Sequence, residues 1–249
     1  MEGSQVEFKK GAVKPIDCLS EAWNLVMANI GLYLGVAVVA FIILGLLFVI
    51  NWFLYGPVMV GLVSMFLMQK RGENPSFGQM FSGFSKFLPA MIVGLAFMIP
   101  TIIQQTYRFS FTAAEFLTIY NPNELTAGTL IALRLLGFAV SMFVLLGVVI
   151  MSISLNFSFP LFAEKDLGLM ETVKLSARAG WANAGMLFLL LLLKGVIIIA
   201  GVLACCVGLL LALPLVWAMD ACAYRMVFPD ENAPGDMAPP QPEQYGFQQ

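Results

Sequence analysis

The sequence predicts an all-α, polytopic membrane protein, with six transmembrane helices arranged as three helical hairpins and amphipathic helices lying in the membrane interface. Three observations carry this expectation. The 249-residue chain is 60% hydrophobic and 11% charged, with a mean hydropathy of +0.88, which is more apolar surface than a soluble domain of this length can hide. Its apolar residues gather in runs near the roughly 20 residues that a helix needs to cross a bilayer. The Lys and Arg residues fall mostly on one side of those runs, as the loops of a membrane protein do.

Residues 1–14 form an N-terminal segment expected in the cytoplasm. About thirty amphipathic residues precede the first apolar run, unlike a signal peptide, whose basic start leads directly into a short apolar stretch. Residues 16–28 read as an interfacial helix with Trp23 as its aromatic anchor. The first two spans, 29–49 and 52–68, are separated near Ile50 and Asn51 by so few uncharged residues that they must lie antiparallel. Before the third span, "PSFGQMFSGFSKFLPA" begins with Ser76 and Gln79 in capping-box spacing. Phe77, Phe81, Phe84 and Leu88 then recur at helical intervals, so a helix lying in the interface is expected here too.

The third and fourth spans, 87–105 and 128–159, are joined by a long polar connection, 106–127. Within it "TAAE" at Thr112 has the spacing of a capping box and predicts a short surface helix. A third interfacial helix, 169–181, carries Trp181 in the role of Trp23. The fifth and sixth spans, 185–203 and 208–226, turn near residues 204–207. The integral membrane domain is thus 15–228, and 229–249, rich in Pro, Gln and acid without apolar periodicity, reads as a disordered cytoplasmic tail.

An internal repeat accompanies this order. "WNLVMANIG" and "WANAG" both place Asn-x-Gly just before a span, and the second helix of the first and third hairpins carries Pro57 and Pro214. Ten of the thirteen basic residues (Lys9, Lys10, Lys14, Lys70, Arg71, Lys86, Lys165, Lys174, Arg178 and Arg225) share one side, with Arg108 and Arg134 opposite and Lys194 inside. Both termini are therefore expected in the cytoplasm of a bacterium, with the protein in its inner membrane.

Three stretches carry a resemblance. "YGPVMVGLVSMFLMQKRGENPSFGQMFSGFSKFLPA" (55–90), "FPLFAEKDLGLMETVKLSARAGWANAG" (159–185) and "GLLLALPLVWAMDACAYRMVF" (208–228) are similar to uncharacterised bacterial integral membrane proteins. That group is related to the membrane domain attached to some glycerophosphoryl diester phosphodiesterases. The resemblance implies a six-helix architecture and, since the soluble phosphodiesterase domain has no counterpart in these residues, no activity and no site residue.

Lys194 is the sharpest candidate for function, because an ionisable residue inside a span is costly and by default marks a site. It lies about 13 Å from the start of its span at 1.5 Å per residue. Two readings stay open. It pairs with Asp220 on the adjacent helix or snorkels toward the interface, or it binds a lipid headgroup or anion with Asp220 beside it. The row Ser152, Ser154, Asn156 and Ser158 spreads around its helix instead of lining a pore, and interhelical hydrogen bonding is its expected use. Pro57, Pro100, Pro214, Gly137, Gly147 and Gly201 are expected to kink and closely pack helices.

Without histidine, and with Cys18, Cys205, Cys206 and Cys222 in no CxxC spacing, the chain predicts no metal site and no cofactor. It also lacks HExxH, GxxxxGK[ST] and GxSxG patterns and any basic cluster interleaved with aromatics, which sets aside common enzyme classes and nucleic acid. The expectation is a non-enzymatic membrane protein that organises lipids or a membrane partner protein. Its contact surfaces would be the interfacial Trp23, Phe77, Phe81, Phe84 and Trp181, the basic rim and the tail. The alternative is a small transporter or permease-like protein with Lys194 binding an anion or lipid headgroup.

Overall fold

The structure, a computed structural model, describes residues 7–46, 51–120, 127–204 and 207–230. Among these residues the regular structure is helical, with no strand. The helices are α1 (Pro15–Ala28), α2 (Ile30–Leu46), α3 (Asn51–Lys70), α4 (Phe87–Tyr120), α5 (Ala127–Leu155), α6 (Ser158–Glu164), α7 (Leu169–Ala182), α8 (Ala184–Leu203) and α9 (Val207–Val227). A 3-10 segment, Phe77–Lys86, runs straight into α4. Five stretches are long and apolar enough to cross a membrane: α3, the 3-10 segment with α4, α5 with α6, α8 and α9. A sixth is reached only when α1 and α2, bent by 98° at Asn29, are counted together, because α2 alone sits at the short end of the spanning range. The predicted tail from residue 231 onward, and the turns at 47–50 and 205–206, lie outside the described residues.

The helices fall into three successive units: α1 with α2 and α3, the 3-10 segment with α4, α5 and the short α6 that continues α5, and α7 with α8 and α9. Each opening segment packs chiefly on the last long helix of another unit, the 3-10 segment on α3, α7 on α5 and α1 on α9. Of the leading long helices, α4 packs chiefly on α3 and α2 on α9 in the same way, whereas α8 packs chiefly on α9 of its own unit and only sparsely on α5. The units therefore close head to tail into a ring with α3 and α9 innermost. Of the three seams, that between α5 and α8 is the sparsest.

The packing follows from glycine positions. A Cβ on Gly61 would overlap the Met80 carbonyl, and one on Gly83 would overlap the Pro57 carbonyl. The 3-10 segment thus lies backbone against backbone on α3, which only paired glycines permit. Gly180 admits the Ile153 carbonyl in the same way, seating α7 on α5. The turn after α3 is a Schellman motif, in which the Glu73 N–H donates to the Met68 carbonyl at 3.1 Å and the Gly72 N–H to the Gln69 carbonyl at 3.0 Å. Gly72 itself adopts φ +81°, the left-handed conformation that this cap requires. Gly137 lies under the Tyr107 ring, Gly147 beside Pro100, and Gly201 against Gly208, so these positions serve close approach as expected.

Two local expectations are corrected. The segment at Phe77 is a 3-10 helix and not an α-helix. Gly78 and Gly83 weaken the α form, and close seating on α3 favours the thinner helix. Ser76 still carries the return half of a capping box, its N–H donating to Gln79 Oε1 at 2.6 Å. Because side chains three apart eclipse in a 3-10 helix, the aromatic row continues through Phe87 rather than Leu88. Successive ring centroids from Phe77 through Phe81 and Phe84 to Phe87 lie 6.4, 6.1 and 6.1 Å apart.

The polar connection 106–127 is the second correction, because α4 continues unbroken to Tyr120. Thr112 does not start a new helix; its hydroxyl donates to the Arg108 carbonyl at 3.0 Å, a bond of the helix interior. The extension is held by α5, with the Tyr107 hydroxyl donating to the Leu133 carbonyl at 2.9 Å and Gln104 Nε2 to Ser141 Oγ at 3.2 Å. Tertiary pairing overrides the local signal. At 34 residues α4 is about 50 Å long, well beyond the roughly 30 Å of a hydrocarbon core.

Candidate functional site

Lys194 lies ten residues into α8, and Asp220 occupies the facing turn of α9. The lysine ammonium donates a charge-assisted hydrogen bond to Asp220 Oδ1, and the two side chains retain only 14% and 15% of their accessible surface. Both lie on the wall of a cavity of about 500 Å³ lined by α3, α4, α5, α6, α8 and α9. α8 contributes a regular stripe, Leu187, Leu190, Leu191, Lys194, Gly195, Ile198 and Ile199, spaced as one face of a helix.

Most of the lining is apolar, from Met59, Phe97, Phe159 and the leucines of α8. The polar groups are few: Tyr55 on α3, Ser152 on α5, Asn156 in the turn between α5 and α6, Lys194 on α8, and Trp217 and Asp220 on α9. An apolar chamber of this size with a small convergent polar set has the make-up of a small-molecule site. On one side the wall is thin. Gly195 and Ile199 line the cavity yet are exposed on the outer surface of the bundle, beside the sparse α5 and α8 seam. The chamber thus opens sideways, toward what surrounds the helices.

The serine and asparagine row divides by face. Ser152, in the last turn of α5, and Asn156, in the turn just after it, line the cavity. Ser154 turns to α7, its hydroxyl accepting from Trp181 Nε1 at 3.1 Å and its carbonyl from the Ser176 hydroxyl at 2.9 Å. Ser158 is fully buried. Only Ser154 makes the expected interhelical bond through its side chain. The predicted interfacial residues Trp23, Phe77, Phe81, Phe84 and Trp181 all lie exposed on the surface, away from the cavity. The structure brings Lys194 and Asp220 together and leaves these five apart from them. Among the described residues no group of three or more Cys, Asp or Glu is placed to hold a metal ion.

A second charged cluster was not singled out by sequence reasoning. Glu164, at the end of α6, accepts from Arg71 Nη1 at 2.6 Å and from Arg225 Nη2, so one side chain joins the end of α6 to the residue after α3 and to the last turn of α9. Arg225, only 5% exposed, also reaches Asp230 at 3.2 Å, and Arg71 Nε donates to Glu73 at 2.7 Å. Burial works against the Arg71 charge, but the hydrogen bond with Glu73 and the Glu164 and Asp230 carboxylates outweigh it, raising the guanidinium pKa. The cluster ties the three units together at the basic end. In the sequence Glu164 is one of several acids, with Asp166 and Glu171, in the polar stretch after the fourth span, and nothing local marks it out.

The same end is strapped by residues 7–14. Asn183 accepts from the Ala12 N–H at 2.9 Å and donates through Nδ2 to the Ala179 carbonyl at 2.8 Å and the Lys9 carbonyl at 3.2 Å. The Lys9 N–H in turn donates to the Val227 carbonyl at 2.8 Å. The Asn of the Asn-x-Gly repeat thus holds the start of the chain against the corner between α7 and α8. The chain matches no family model, no curated protein and no solved structure.

Proposed function

We propose that this chain is a non-enzymatic, multi-pass protein of a bacterial inner membrane that holds a lipid inside its helix bundle and so organises lipids around it. One observation carries the reading: the chamber beside Lys194 and Asp220 is apolar over most of its wall, charged at one place, and open sideways at Gly195 and Ile199. An amphiphile has that distribution, and a lateral opening serves a ligand that arrives from the bilayer. The reading includes six spans in three hairpins with both termini cytoplasmic, which the concentration of basic residues around α1, the 3-10 segment and α7 supports. It also includes a membrane partner protein at the exposed Phe77, Phe81 and Phe84 row. The resemblance noted for 55–90, 159–185 and 208–228 bears within this proposal on architecture alone.

Transport of an anion through Lys194 is the second reading, favoured by the placement of the lysine on the cavity wall. The adjoining Asp220 carboxylate weighs against it, since an anion would have to sit beside a like charge.

Gly195→Phe tests the lipid reading. An added Cβ at Gly195 meets nothing within 4 Å, so the substitution fits the fold while its ring obstructs the opening. Purified in native nanodiscs and then transferred to detergent, the wild type should retain a stoichiometric lipid by native mass spectrometry, and Gly195→Phe at least fivefold less. Equal retention removes the cavity as the lipid site. Orientation is checked separately: a reporter fused after Arg71 should report cytoplasm and one inserted at Asn121 the opposite side. An outward signal from Arg71 inverts the topology.

A further inference from the structure

We infer that the headgroup held in the chamber is zwitterionic, a primary ammonium joined to a phosphate as in an ethanolamine phospholipid; this rests on the lipid reading above. The argument starts from charge balance. The chamber presents one cation and one anion, already paired with each other and largely withdrawn from solvent. A purely anionic headgroup engages Lys194 only by leaving the Asp220 carboxylate unpaired beside it, and a purely cationic one strands Lys194 in the same way. A zwitterion exchanges partners without stranding either charge, its phosphate replacing Asp220 at the ammonium and its ammonium replacing Lys194 at the carboxylate.

The surroundings sharpen the choice. Ser152, in the last turn of α5, and Asn156, in the turn that follows it, line the same cavity as the pair, and no hydrogen bond between their side chains and another described residue competes for them. Asn156 supplies both an N–H donor for phosphate oxygens and a carbonyl acceptor for an ammonium. Trp217, on the same helix as Asp220, also lines the cavity, and an indole ring is the aromatic group that attracts a cation most strongly. A primary ammonium brings N–H groups to the carboxylate, as the lysine does; a trimethylammonium brings none. The acyl chains then lie along the leucine stripe of α8 and leave past Gly195 and Ile199.

The test is competitive loading. Protein in detergent is offered equimolar phosphatidylethanolamine, phosphatidylglycerol and phosphatidylcholine with identical acyl chains, and bound lipid is counted by native mass spectrometry. The wild type should take ethanolamine lipid at least tenfold over either competitor. The double variant Lys194→Met with Asp220→Leu, which removes both charges together, should still take lipid but with all three within twofold. A wild type that prefers the glycerol or choline lipid, or a double variant that keeps the ethanolamine preference, overturns the inference and leaves the lipid reading standing. If the wild type holds no more lipid of any kind than Gly195→Phe, the lipid reading falls and takes the inference with it. Excess free phosphoethanolamine should not displace the bound lipid; displacement would make the ligand a soluble zwitterion and overturn the lipid source.

Discussion

Lys194→Met alone should destabilise the protein by about 3–5 kcal/mol, the cost of leaving a buried charge without its partner, whereas Lys194→Met combined with Asp220→Leu should recover most of that loss. The single change leaves the Asp220 carboxylate in an apolar chamber with its charge-assisted hydrogen bond removed. The double change replaces the pair by side chains of comparable bulk that the leucine-rich wall of α8 accommodates. Reversible unfolding by SDS titration in mixed micelles, run as a double-mutant cycle with Asp220→Leu, measures the coupling directly. A lysine that merely reached for the interface would give additive effects and a nearly neutral Lys194→Met. That result would break the account of the pair.

Glu164→Gln should cost about 3 kcal/mol, toward the lower end for a broken buried pair. It keeps the shape of the side chain but withdraws the charge shared by two guanidiniums, of which Arg225 is 5% exposed and has little water to turn to. Asp230 and Glu73 continue to serve one arginine each, which keeps the loss from being larger. Because the three groups come from three units, the unfolding midpoint should fall for the whole bundle and not for one hairpin. The measurement is thermal unfolding followed at once by Trp fluorescence and by cysteine accessibility at Cys18 and Cys222. Lys86→Ala is the contrast. Its partner Asp166 is fully exposed, so the midpoint should stay in place; a fall as large as that of Glu164→Gln would show that charge at this end acts without regard to burial.

Much of the helix layout was legible because apolar runs report burial in lipid or core directly. The helices at Pro15–Ala28 and Leu169–Ala182 and the start of α4 at Phe87 follow the patterns read from sequence. The meeting of Lys194 and Asp220 was legible too, since Lys194 is the lone charge and Asp220 the lone acid within its apolar stretch, and the stretches are neighbours in the chain. What stayed hidden depends on register between distant elements. Glu164 meets residues 93 and 61 positions away, and on sequence it looks like one more polar residue at a helix end. The chamber needs six helices at defined rotations, so Tyr55 and Trp217 carry no local mark of lining it. The length of α4 misled because Thr112 and Glu115 imitate a helix start, while Gln104 and Tyr107, which carry the helix onward, act only through their contacts with α5.

The head-to-tail closure also orders how the molecule is made. α1 leaves the ribosome before the other described helices, yet the face bearing Cys18, Ala22 and Val26 is covered by α9, the last of the described helices to be synthesised, and the Lys9 N–H waits for the carbonyl of Val227. The 3-10 segment, by contrast, finds α3 already in place, and α7 finds α5. Two joints of the ring are therefore sealed during translation and the third only at its end. Through most of biogenesis the nascent protein exposes a half-covered first helix, which makes that interval, and no later one, its point of greatest exposure to membrane quality-control proteases.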